Sequence, residues 1–111
     1  MKQTVDIQFL GTPASSAVEA VAREKVRKLD QFCAHMISCR VRIELVHKHR
    51  HQGRPFAVHI ELALPGQVLA ISRVHDEDVY IALRAAFDGM KRQIEDAVRR
   101  DRDHRKQPAA T

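Results

Sequence analysis

Apolar and polar residues alternate over residues 4–10, where Val5, Ile7 and Phe9 share one side. A period of two predicts a half-buried strand. Gly11, Thr12 and Pro13 end it. The period then lengthens to that of a helix: Val18, Ala22, Val26, Leu29 and Cys33 form one apolar face, with Phe32 beside them. Ser16 and Glu19, three apart, read as a capping box at its start. Alternation returns over residues 39–47, where Cys39, Val41, Ile43 and Leu45 point one way and Arg40, Arg42, Glu44 and Val46 the other. The polar stretch His47 to Arg54 carries Gly53 and is followed by Pro55, which predicts a loop. Phe56, Val58, Ile60, Leu62 and Leu64 mark a third strand, Pro65-Gly66 a hairpin turn, and residues 67–74 a fourth strand. Asp76 is a candidate N-cap, with Glu77 and Asp78 in a favourable first turn. Val79, Leu83, Ala86, Phe87, Met90, Ile94 and Ala97 then follow at helical spacing, which predicts a helix to about Arg100. Gly89 inside it weakens the helix by about 1 kcal/mol.

This order is β-α-β-β-β-α, an α+β fold with a four-stranded sheet. The last three strands, joined by short connections, should form an antiparallel meander. Each helix has a single apolar stripe, so both helices should pack on one face of the sheet. Residues 1–100 are expected to be one domain. Residues 101–111 have no apolar stripe and read as a charged, disordered tail.

Composition narrows the class. The 111 residues are 44% hydrophobic, enough for one modest core. No apolar run approaches the ~20 residues of a membrane span, and Met1-Lys2-Gln3-Thr4 leads straight into a strand pattern with no signal-peptide core. The expected compartment is the cytoplasm, with no membrane partner. Cys33 and Cys39, with five residues between them, match no familiar zinc or redox spacing and read as small buried thiols. Nineteen Lys and Arg against fourteen Asp and Glu give a net charge of +5 and a pI near 9.7. That balance points toward a nucleic acid or an anionic membrane, though +5 also fits ordinary solubility charge; thirteen of the nineteen cations are Arg, whose planar fork suits phosphate.

The cations are placed unevenly. Lys25 and Lys28 share one flank of the first helix's apolar stripe, and Arg23 and Arg27 the other. Lys25 is near enough to the stripe to lay its stem on apolar surface and lift its ammonium out. On the second helix Arg84 and Lys91 share a flank, while Arg92 and Arg99 fall on the outward face. Basic flanks on either side of a groove between two helices would make a phosphate channel. Glu24, Asp88, Glu95 and Asp96 fit equally well a solvated charged face, and spacing alone leaves both readings open. The cluster His47-Lys48-His49-Arg50-His51 reads as a basic loop. Interleaved cations and the lack of a nearby carboxylate or thiol disfavour a metal. Ser15 and Ser16 look like helix caps and not nucleophiles, and His75-Asp76 like a helix start. No catalytic constellation, cofactor motif or small-molecule site stands out, so neither an enzyme nor a cofactor is expected. Phe9, Phe32, Phe56 and Phe87 all fall on apolar faces, which argues against exposed base stacking.

Three segments carry a family likeness: Glu24-Lys25-Val26-Arg27-Lys28-Leu29-Asp30, the hairpin through Gly66 to Ala70, and Asp78-Val79-Tyr80-Ile81-Ala82-Leu83 followed by Lys91-Arg92-Gln93-Ile94. In their order and spacing, over about residues 4 to 100, the chain resembles the ribosome hibernation-promoting factor and ribosome-associated translation inhibitor family, in its short form. The resemblance implies a stress-response translation inhibitor that binds small-subunit rRNA in the mRNA/tRNA channel of idle ribosomes, with no obligate homo-oligomer. It points to Lys25, Lys28, Lys91 and Arg92. With Arg23, Arg84 and Arg99 these make the expected rRNA-binding set. Family members often carry an acidic residue at the position of Arg84 and a Lys at that of Gly89. The alternatives are a general RNA-binding module and a protein-interaction regulator that does not act on the ribosome.

Overall fold

The computed structural model describes residues 4–33, 35–46, 55–75 and 78–106. It has strand β1 (Thr4–Leu10), helix α1 (Ser16–Phe32), strands β2 (Ser38–Leu45), β3 (Phe56–Leu64) and β4 (Gln67–His75), and helix α2 (Val79–Lys106). The strands lie in the order β1-β2-β3-β4. The meander β2-β3-β4 is antiparallel, as its short connections require, and β1 pairs parallel with β2. A parallel pair needs a crossover, and α1 supplies it. The β3–β4 hairpin turns on Pro65 and Gly66. Gly66 has φ +81° with nothing near its absent side chain, so backbone conformation and not space calls for glycine there.

Both helices cover one face of the sheet. Val5, Ile7 and Phe9 lie level with Cys39, Val41 and Ile43, which oppose Leu62, Ile60 and Val58; Leu69 and Ile71 continue the rows on β4. Against them pack Val18, Ala22, Val26 and Leu29 of α1 and Leu83, Ala86, Phe87, Met90 and Ile94 of α2. No polar side chain is buried among the described residues. α1 lies against β1, and α2 against β3 and β4. The opposite face mixes polar pairs with exposed apolar residues: Arg40 Nε is 3.7 Å from the Asp6 carboxylate, the His59 ring meets Ser72 Oγ at 2.7 Å, and Val68 and Val74 of β4 stand exposed.

Three local features differ from the sequence reading. The N-cap of α1 is Ser15, extended at φ −120°, whose Oγ accepts from the Val18 amide at 3.2 Å. Ser16 is already helical, and Glu19 is turned to Arg23. The α2 cap is Asp78, whose Oδ1 accepts from the Tyr80 and Ile81 amides at 2.9 and 3.3 Å; Asp76 and Glu77 lie outside the described residues. α2 also runs past Arg100 to Lys106. The sequence from Asp101 to Lys106 holds no helix breaker, and the next proline after Pro65 is Pro108.

Candidate nucleic-acid interface

One contact fixes how the helices face each other. The Lys91 ammonium sits 5.1 Å from the centroid of the Phe32 ring. Phe32, Lys28, Lys25 and Val21 follow one another by three or four residues, so they share the flank of α1 that faces α2. By the same periodicity Lys91, Phe87, Arg84 and Tyr80 share the flank of α2 that faces α1. The fold therefore brings Lys25, Lys28, Arg84 and Lys91 to the rims of one groove. Lys25 is half-buried, as a stem laid on apolar surface should be; the other three are exposed.

The remaining expected residues are elsewhere. Arg92 and Arg99 stand on the outward face of α2, and Arg23 is on the far flank of α1. Ion pairing separates them further. Arg23 Nε donates to Glu19 at 2.9 Å, and Arg27 Nε to Glu24 at 2.9 Å. That pairing lowers the Glu24 pKa and raises that of Arg27. Arg99 lies 4.0 Å from Asp96, a long and exposed contact. Among the described residues, Lys25, Lys28, Arg84, Lys91 and Arg92 have no carboxylate within ion-pair distance. Exposed intrahelical pairs of this kind add little stability, yet they neutralise their cations locally. The five others make no ion pair among the described residues, although Lys28 still acts through space on Glu24, one turn away.

Phe32 corrects the sequence reading. It is 44% exposed at the end of α1, on the rim flank of the apolar stripe, and its ring face is taken by Lys91. Cation–π contact of this sort is worth about 0.5–1 kcal/mol at an exposed site and holds the ammonium at the groove. A Phe beside a helical apolar stripe looks the same in sequence whether it is inside or at the rim, so only the position of Lys91 reveals its role. The His47–His51 cluster lies outside the described residues.

Fold and surface together define an α+β domain with an open sheet face and a basic two-helix face. A family model for the sigma 54 modulation protein / S30EA ribosomal protein family matches residues 5–102, and the chain belongs to that family. It is thus a member of a family of ribosome-associated modulation proteins, not of enzymes, as the resemblance implied. Among solved structures, a ribosomal subunit interface protein from Coxiella burnetii matches with TM-score 0.73 at 13% identity, covering 86% of this chain and 97% of that one. The N-terminal domain of Protein Y from Thermus thermophilus matches with TM-score 0.69 at 18% identity, covering 83% of this chain and 96% of that one. At these identities the likeness is one of fold. No curated protein matches the chain. No described helix is long and apolar enough to cross a membrane.

Proposed function

We propose that this chain is a ribosome hibernation factor that binds rRNA of the small subunit in the mRNA/tRNA channel and blocks translation there, which would place it in the cytoplasm. The observation that carries this reading is the gathering of Lys25, Lys28, Arg84 and Lys91 on one groove, none in an ion pair among the described residues, in a member of a ribosomal family. Arg92 adds a fifth such cation one face over. Phosphates seated on these cations release counterions, so attraction needs no base reading. Phe32 lies beneath Lys91, so the groove offers charge and shape, with the half-exposed Tyr80 ring on its α2 flank. The subunit-interface description of the Coxiella burnetii protein fits the same place of action.

Occupancy of the channel is the test. The chain should pellet with purified small subunits and be displaced when mRNA and an anticodon-paired tRNA are loaded first. It should also suppress translation in an extract. Equal binding to empty and to loaded subunits would refute the channel, and binding to duplex RNA as tight as to subunits would favour a general RNA-binding module.

A further inference from the structure

At Gly89 the missing side chain of α2 lets β4 side chains close on the helix. A Cβ built there would fall on Ile71 Cδ1, and it would stand 3.1 Å from Arg73 Nη2 and 3.5 Å from Arg73 Cζ. The Arg73 guanidinium therefore lies against the bare helix backbone at residue 89. Arg73 follows Ile71 on the helix side of β4, but at the sheet's edge, where the core has ended and the side chain is exposed. One turn further along α2, Gln93 Nε2 donates to the Ala70 carbonyl at 3.0 Å and holds the helix to this strand. The Arg73 fork is thus carried on a pinned junction.

Among the described residues its one hydrogen-bond partner is a backbone carbonyl. Nη1 donates to the neighbouring Ser72 carbonyl at 2.8 Å, and no carboxylate among the described residues pairs with it. Asp96, on the same side of α2, is nearest to Arg99. Arg92 follows Gly89 by three residues, so the two positions adjoin on the helix surface. Two unpaired guanidinium groups, one from each element, thereby flank the same turn of α2, outside the interhelical groove. Like charges placed together, neither of them ion-paired among the described residues, suit a shared anion, and the planar fork suits a phosphate oxygen pair.

We propose that Arg73 is a further phosphate-contacting residue, delivered from β4 onto α2 through the gap at Gly89, where it and Arg92 seat one RNA phosphate. The proposal rests on the reading of the chain as an rRNA binder. It extends the interface from the groove across the crest of α2 to the sheet edge.

Equilibrium binding to purified small subunits over a salt series tests it. Arg73→Ala should reduce the slope of log affinity against log salt by roughly one unit or slightly less, with an unchanged melting temperature. Gly89→Ala removes no charge, yet it should weaken binding by displacing the guanidinium, and it should cause no further loss in the Arg73→Ala background. Arg73→Lys should recover the slope but not the full affinity. If Arg73→Ala leaves affinity and slope unchanged while Lys28→Ala and Arg92→Ala reduce both, the proposal is overturned and the groove reading stands. If none of the three has an effect, both fall.

Discussion

At the scale of single residues, burial and charge pairing decide what each group can do. Cys39 is 1% exposed, and burial pushes its thiol up to about 12 from an unfolded value near 9.0. The folded state thus favours the protonated thiol. The resulting stability is fully present below pH 9.0 and is lost as pH rises toward about 12. The native chain should leave Cys39 unmodified by a thiol reagent at neutral pH, since the thiolate is the nucleophile. Its stability advantage over Cys39→Ala should shrink by on the order of 1–2 kcal/mol between neutral pH and pH ~10.5, as followed by denaturant unfolding. Rapid labelling of folded protein at Cys39 would contradict the burial. The buried thiols were legible from sequence, because small apolar-like residues at core periodicity are usually inside. Phe32 and Arg73 were not. The first lies at a helix end, where periodicity cannot tell rim from core, and the second acts through a glycine sixteen residues away in the chain.

At the scale of elements, strand and helix identities follow from periodicity, and their ends follow from caps that sequence leaves ambiguous. Ser15 and Ser16 are equally eligible by type, and so are Asp76 and Asp78; entry geometry selects Ser15 and Asp78. Asp78→Ala should cost about 0.5–2 kcal/mol, and Ser15→Ala a similar amount, both measured by denaturant unfolding. Ser16→Ala should be close to neutral, and a large loss there would restore Ser16 as the cap. The core is less forgiving. Leu83 is fully buried between α2 and the sheet, and Leu83→Ala should cost about 2–5 kcal/mol. That is a large share of the roughly 5–15 kcal/mol typical of a domain. The partner of β1 was also beyond a reading of periodicity, because alternation fixes which face is buried but not which strand lies alongside. Its parallel pairing with β2 follows once α1 is seen to cross over the sheet.

At the scale of the whole molecule, the helices share one face because each has a single apolar stripe, and that sharing creates the groove. The order of elements was therefore readable in the sequence, and so were the flanks carrying Lys25, Lys28, Arg84 and Lys91. The division of cations into paired and unpaired was not, since Glu19, Glu24 and Asp96 are spaced to reach several partners and only rotamer geometry picks Arg23, Arg27 and Arg99. That division makes a contrast that can be measured. Binding to purified small subunits should fall linearly in log–log form as salt rises, because phosphate contacts release counterions. Removing Lys28 and Arg92 together should reduce the slope by nearly two units, whereas removing Arg23 and Arg27 should reduce it far less, with both variants folded. A salt-independent affinity, or equal losses from the two pairs, would contradict the claim that the unpaired cations of the two-helix face hold the ribosome.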